Sequence, residues 1–354
     1  LAEKIIIRSC ASYEREIIKG FLEDVFRELD LNIAGSKVLL KPNLVVGKPP
    51  DKAVNTHPEI VAAVASLLSD HGCRVAIGDS PGYESPERAL KSAGLTDIVR
   101  HYGLSVASFD GQIPKEHRGI SPYRHFVLGE DPSLYDEIVN LPKLKSHAML
   151  GMTLGVKNAF GFIHGMDKAK WHLRTGRDIA LFASMLIDIF RLVSPGITIL
   201  DGILGMDGDG PTHGRVRHFG ILGAGRNAFA LDRAIERMAG IAEPLPISAI
   251  AEREGFIGDY TLLAEDGAGI SGFRMPKTVD PDWGLPVCFR DTLKRFFVRK
   301  PRATAALCTG CQICLQVCAA GAISAGEKMP VFDYAKCIRC YCCQEMCPQG
   351  AIRV

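Results

Sequence analysis

The sequence predicts a large α/β domain with a mostly parallel sheet, arranged as two lobes about a cleft, followed by a small α+β unit with an internal repeat. Three observations carry this. Over residues 1–289, short apolar runs alternate with stretches of helical periodicity, the rhythm of βαβ units. Lysine, histidine, asparagine and aspartate gather where apolar runs end, which is where an open parallel sheet holds its ligands. From residue 303 onward cysteines crowd the chain in two runs of identical spacing. A basic stretch, 290–302, separates the two parts.

Taken in order, residues 3–9 (EKIIIRS) read as a strand. Residues 14–29 place Ile17, Ile18, Phe21, Val25 and Leu29 at helical spacing. KVLLKPNLV (37–45) is a strand ending in a polar turn. Residues 57–72 form a helix opened by His-Pro and closed by Gly. RVAIGDSPG (74–82) is a strand that runs into a glycine-rich loop, and EIVNLPKLKSH (137–147) is the next strand. A helix over 177–193 buries Ile179, Leu181, Phe182, Met185, Leu186, Ile189 and Phe190. Asp188 falls inside that apolar face, and its burial would require a partner such as a basic group of the site. ITILDGILGMDGDGP (197–211) is a strand followed by a Gly- and Asp-rich loop. FGILGAGRNAFALD (219–232) enters a helix through G-x-G without a third glycine, a weak dinucleotide signal. Residues 240–287 have no clear period.

Hydrophobic residues make up 47% of the 354 and charged residues 23%, enough for a sizeable core. A formal net charge of +2 argues against nucleic acid and membrane surfaces as general partners. No apolar run approaches the ~20 residues that span a bilayer, and the opening LAEKIIIRS does not read as a secretory signal.

The cysteine runs are Cys308, Cys311, Cys314, Cys318 and Cys337, Cys340, Cys343, Cys347, together eight of the chain's twelve cysteines. The spacing C-x2-C-x2-C-x3-C is that of a two-cluster ferredoxin, in which three cysteines of a run bind one cluster and the fourth binds the other. Cys308, Cys311, Cys314 and Cys347 are therefore assigned to one [4Fe-4S] cluster, and Cys337, Cys340, Cys343 and Cys318 to the second. The second run ends Cys347-Pro348 and the first Cys318-Ala319, a difference that leaves ligation intact. Cys342 is outside the spacing and reads as a buried structural thiol, with a redox or alternative-ligand role as the other reading. Thiolate ligands have to stay reduced, which favours the cytoplasm.

The polar clusters supply the candidate site. Lys41 and Asn43 close one strand, with His57 after them; Asp79 and Ser80 follow the next. Lys143, Lys145 and His147 alternate, so an extended backbone puts all three on one face as an anion site. Lys157 and Asn158 lie between Gly155 and Gly161, glycines that allow tight backbone geometry or close ligand approach. His164, Lys168 and His172 would stack on one face of a helix, and an imidazole can transfer protons near neutrality. Asp201, at a strand end, is the candidate catalytic carboxylate, alongside His147 and His172. The loop 207–213, with Asp207 and Asp209, fails the calcium pattern. A divalent metal or an unidentified small-molecule cofactor stays open, and backbone N–H groups offered to substrate are the preferred reading of its glycines.

Several of these stretches resemble the domain of unknown function 362 family, often found fused to two [4Fe-4S] ferredoxin modules: KPNLV (41–45), GDS (78–80), NLPKLKSH (140–147), GVKNAFG (155–161), KAKWH (168–172), DGILGMDGDGPTHG (201–214) and ALD (230–232). The resemblance implies a fold and the location of a site rather than a reaction. The group is also distantly similar to the nickel-pincer lactate racemase family, which binds small hydroxy acids and uses histidines for proton transfer. By that similarity Lys157, His147 and His172 gain weight as site residues.

The expectation is an iron–sulfur oxidoreductase or reductase component. A small anion would sit among Lys41, Lys145, His147, Lys157 and Asp201, and electrons would pass to a redox partner through two clusters. A non-catalytic electron-transfer subunit, docking through the basic stretch 290–302, is the second reading. A redox sensor or iron–sulfur assembly factor is the third.

Overall fold

The computed structural model describes residues 2–278 and 299–354. The segment 290–298 of the predicted basic linker lies outside them. Strands β1 (Glu3–Ser9), β2 (Lys37–Pro42), β3 (Arg74–Ile77) and β4 (Ser105–Val106) alternate with helices α1 (Arg15–Glu28), α2 (Pro58–Asp70), α3 (Pro86–Ser92) and α4 (Thr96–His101). A hairpin of β5 (Ile113–Glu116) and β6 (His125–Leu128) follows, then β7 (Glu137–Leu141), β8 (Lys143–His147), β9 (Gly151–Thr153), α5 (Gly155–Asn158), α6 (Asp167–Thr175) and α7 (Ile179–Val193). The domain ends with β10 (Ile197–Asp207), β11 (Arg215–Gly225), α8 (Ala228–Met238), α9 (Pro246–Arg253) and β12 (Tyr260–Ala264).

One ten-stranded sheet runs through the domain, with its main path in the order β12-β1-β11-β10-β7-β2-β3-β4. The cleft therefore does not separate two sheets. Pairing is mostly parallel, with antiparallel β1–β11, β10–β11 and β8–β9. From β2 the chain moves outward through β3 and β4, then returns to the other side of β2 as β7. That reversal is a topological switch point, and the crevice it opens lies at the carboxyl ends of parallel strands. Residue alternation separates two cores. Ile5, Ile7 and Leu39 face the layer containing α7, α8 and α9, whereas Ile6, Val38 and Leu40 face α1 and α2.

Four sequence expectations change. Residues 137–147 form two strands, broken at Pro142, which cannot donate to a ladder. Ile17 stands 46% exposed, and α1 buries Leu22 and Phe26 beside Ile18, Phe21 and Val25 instead; Ile179, at the first turn of α7, is likewise exposed and Leu181 is only half-buried. Gly223 and Gly225 lie within β11, opposite Leu200 and Thr198 of an antiparallel partner, so the G-x-G is strand rather than a nucleotide loop. Helix α6 begins at Asp167, so His164 precedes it and does not stack with His172.

The C-terminal unit pairs β13 (Arg302–Ala303) with β16 (Ile352–Arg353), and β14 (Ile323–Ser324) with β15 (Val331–Phe332), both antiparallel. Two short helices, α10 (Ile313–Gln316) and α11 (Cys342–Glu345), carry cysteines of the two runs. This is a small ferredoxin-like module. Among the described residues no helix is long and apolar enough to cross a membrane.

Candidate functional site: a lysine-lined cavity under the cysteine-rich tail

Beyond the carboxyl end of β2, Asp79 organises the floor of the crevice. One carboxylate oxygen accepts from Lys41 Nζ at 2.8 Å and from its neighbour Ser80 N at 2.8 Å; the other accepts from Leu44 N at 2.7 Å. Lys41 is fully buried. Burial pushes its ammonium down in pKa and Asp79 pushes back. Gly161 has to be glycine here, because a Cβ would run into Asp79 and Lys41.

A chain of amides joins this pair to the neighbouring strands. Lys145 Nζ donates to Asn43 Oδ1 at 2.7 Å and to Val54 O at 2.6 Å. Asn43 Nδ2 donates to Asn158 Oδ1 at 3.0 Å, and Asn158 Nδ2 to Asn140 Oδ1 at 2.8 Å. Asn158 rides on α5, whose first N–H groups are held by the Asp232 carboxylate: Gly155 N at 2.8 Å and Val156 N at 3.0 Å. Gly155 packs against Asp232 and Thr198.

The cavity above this floor has a volume of about 80 Å³. Asn43, Asp79, Lys157, Asn158, Lys168 and His172 line it from the large domain. Lys168 Nζ donates to Ser80 O at 2.6 Å, and Lys157 Nζ stands 5.9 Å from the centre of the Phe160 ring. Burial and the charge of Lys157 lower the amine pKa of Lys145 to about 7; burial, opposed by Asp79, does the same for Lys168. His172 is 5% exposed and packed against Phe182 at 4.4 Å, and its Nδ1 has no hydrogen-bond partner among the described residues. Burial, then Lys157, pushes it down to about 3, so it is neutral.

The opposite wall comes from the tail: Val317, Cys342, Glu345 and Met346. Thr212 Oγ1 donates to Glu345 O at 2.8 Å, Lys48 Nζ to Pro348 O at 2.7 Å and Arg177 to Cys337 O at 2.9 Å, which pins the module over the crevice. His147 accepts from Met149 N and Leu150 N on Nδ1, leaving Nε2 as the donor, 4.0 Å from Glu345. Burial first, then Lys157, holds His147 neutral.

Of the expected site residues, Lys41, Asn43, Asp79, Lys145, Lys157, Asn158, His147 and His172 converge on this region. Asp201 does not. Its carboxylate takes Tyr13 Oη at 2.8 Å, Lys143 Nζ at 2.7 Å and His57 N at 2.9 Å, a buried knot in which Asp201 itself does not line the cavity. His57 stacks on Tyr13 at 3.5 Å and caps α2. Asp207 is bound by Arg215 and Arg217, and Gly210 N donates to Ser146 Oγ, so the 207–213 loop docks the tail and offers its N–H groups internally. Asp188 is buried as expected; it accepts from Ile120 N and Ser121 N, and its basic neighbour is His117, at 3.8 Å, rather than a group of the site. Sequence reasoning gave no role to Tyr13, Asp232 or Glu345. Asp232 ends the ALD stretch of the family resemblance, Glu345 lies between two cysteines of the second run, and Tyr13 left no local trace.

Four of the cysteines, Cys308, Cys311, Cys314 and Cys347, surround a cavity of about 190 Å³. The Cys343 thiol is pushed up by burial first, then by the charges of Cys340, Cys337, Cys318 and Cys314. Backbone N–H groups point at the last sulfur of each run, Ala322 N at Cys318 Sγ (3.3 Å) and Ala351 N at Cys347 Sγ (3.2 Å). Among the described residues no group of His, Cys, Asp or Glu is close enough to hold a single metal ion. A chamber lined by four cysteines has the donor chemistry of an iron–sulfur site.

Residues 38–237 match the family described as domain of unknown function (DUF362). The chain belongs to the DUF362 family. In this DUF362 chain, residues 330–353 also match a 4Fe-4S binding domain, so an iron–sulfur binding module is present. A thylakoid-associated protein of Synechocystis sp. is 35% identical over 272 residues, covering 75% of this chain and 84% of that protein. The lactate racemase apoprotein of Thermoanaerobacterium thermosaccharolyticum aligns with a TM-score of 0.43 at 12% identity, over 68% of this chain and 58% of that one. A likeness at that level carries no functional argument.

Proposed function

We propose that the chain is an iron–sulfur electron-transfer protein whose α/β domain (1–289) binds a small anion next to a two-cluster module (303–354). The observation that carries this reading is the shared cavity. Lysines of one domain face a wall whose residues, Cys342, Glu345 and Met346, interleave with cysteines of the second run. Cys308, Cys311, Cys314 and Cys347 would hold one [4Fe-4S] cluster, and Cys337, Cys340, Cys343 and Cys318 the other. Parallel backbone features of the two runs support an internal repeat: Gln312 and Tyr341 both take a left-handed conformation at φ 59° ahead of their helices. When bound, such clusters supply one-electron transfer.

The chain's own residues do the rest. Lys157 and Lys168 attract and orient the anion as point charges. Lys41 and Asp79 fix the floor. His172 offers a neutral nitrogen at the cavity edge, and His147 holds its Nε2 proton toward Glu345. A chain with thiolate ligands of this kind would work in a reducing compartment and exchange electrons with a partner protein. The test is Lys157→Ala. It should abolish binding of the anion while the cluster absorption and paramagnetic resonance spectra stay intact; unchanged binding would remove Lys157 from the site.

A further inference from the structure

A second cavity, of about 590 Å³, lies where the 207–213 loop meets the tail. It shares no lining residue with the lysine cavity, and its size falls in the range of small-molecule sites, ~300–1,000 Å³. Three of its lining side chains, Asp209, His213 and Gln344, each carry a buried polar atom with no hydrogen-bond partner among the described residues. Gln344 is 3% exposed; its Nε2 donates to Asp209 O at 3.5 Å, and its Oε1 is the orphan. The orphan of Asp209 is Oδ1 and that of His213 is Nε2. The Thr212 hydroxyl gives its one proton to Glu345 O, so toward His213 Nδ1, at 2.8 Å, it can only accept. Nδ1 therefore carries the imidazole proton and Nε2 is a bare lone pair. Burial first, then Lys48, lowers the pKa of this ring against the pull of the Pro348 carbonyl, so it is neutral. All three orphans are acceptors. The rim has the opposite character. Lys48 and Lys52 of the large domain and Arg353 of β16 line it, and the last two are exposed. Lys52 pairs with Asp51 at 3.0 Å on the open surface, a contact weak enough to exchange.

We infer that this cavity is a second ligand site, built for a polyhydroxylated anion such as a sugar phosphate or a sugar acid. The cationic rim takes the charged end as point charges and, through Arg353, as a planar fork. The acceptors take the hydroxyls. A hydroxyl is a neutral donor that suits a carboxylate, an amide oxygen and an imidazole nitrogen alike, whereas an ammonium would be repelled by the three cations. The orphaned atoms are shielded as their side chains stand; a turn of the Gln344 amide or the Asp209 carboxylate presents them to the cavity. Buried acceptors without donors are costly, and a hydroxyl that reaches them removes that cost. A metal ion fits less well, since among the described residues no group of His, Cys, Asp or Glu could hold one. Because the lining comes from both units, the ligand would also bridge them and stabilise the docked tail.

The experiment is a calorimetric titration of the full chain, purified anaerobically with its iron content checked, as wild type, Lys157→Ala, Arg353→Ala and Asp209→Ala. The probes are glucose 6-phosphate, gluconate, glucose and inorganic phosphate. Glucose 6-phosphate or gluconate should bind Lys157→Ala as tightly as wild type, which separates this site from the lysine cavity. A preference between the two identifies the charged group as phosphate or carboxylate. Glucose and inorganic phosphate, each lacking one half of the chemistry, should bind about tenfold more weakly or worse. Arg353→Ala should weaken the charged probes and leave glucose unaffected; Asp209→Ala should weaken the polyols and leave inorganic phosphate unaffected. If Asp209→Ala loses iron, the exposed Arg353→Ala carries the test alone, and an unchanged affinity there overturns the inference. It is overturned equally if neither polyhydroxylated anion binds Lys157→Ala, or if inorganic phosphate binds as tightly as glucose 6-phosphate. Manganese binding that disappears in Asp209→Ala would assign the acceptors to a metal and overturn it too.

Discussion

Lys145 and Lys168 carry the cavity's pH dependence. Burial brings both amines down to about 7 from the ordinary lysine value of 10.5. Only the protonated amine attracts an anion, so affinity for a small probe such as acetate should be full below about pH 7 and fall as pH rises through it. Calorimetric titration across that range measures this; a flat profile would exclude these lysines. The stability term has the opposite sign. Burying the protonated amine costs energy, so this contribution improves as pH climbs from about 7 toward 10.5. His172, down near 3, stays neutral throughout. The Asp201 knot makes a different prediction. Asp201→Asn leaves the fully buried Lys143 without its counter-charge and should cost ~3–5 kcal/mol in denaturant unfolding, with acetate affinity little changed. A strand-end aspartate is legible in the sequence. Its engagement by Tyr13, almost 190 residues away in the chain, is not, because nothing local encodes a long-range partner.

Helix α5 is only one turn long and relies on its cap. Asp232, on α8, satisfies two N–H groups that would otherwise be orphaned. Asp232→Ala should cost ~1–3 kcal/mol and loosen Asn158 and Lys157, read as lower stability together with weaker anion binding. The Asp232 carboxyl is pushed up to about 8 by burial. A raised folded-state pKa means that its stabilising term is full below about 4 and is lost as pH rises to about 8. Asp232→Asn should flatten that slope in unfolding measured at several pH values. The elements themselves were largely readable: β1, α1, β2, α2, β3 and α7 follow their apolar periods closely. The failures have local physical causes. Pro142 splits a continuous apolar run, and glycines inside β11 imitate a loop signal. α6 starts only after the Gly165 turn, so the spacing of His164 and His172 never becomes helical.

Across the molecule, the arrangement follows from chain order. The sheet reverses direction at β2 and opens a crevice, and the tail returns from the far end of the sequence to close it. Met346 lies against Gly82, where any larger side chain would collide with it. The cysteine spacing and the lysine-rich strand ends were each visible in the sequence, but their meeting was not, since it depends on how a distant module docks. If the ligand sets cross between runs, Cys347→Ser should alter the resonance signal of the first-run cluster and Cys318→Ser that of the second; a Cys347→Ser variant that perturbs only the second-run signal would rule out the crossing. The most direct measurement of the whole account is native mass spectrometry of anaerobically purified protein beside its Lys157→Ala variant. The account predicts the mass of two [4Fe-4S] clusters in both samples and a retained small anion in wild type alone. One cluster or none in wild type, or the same anion held equally by both, would contradict it.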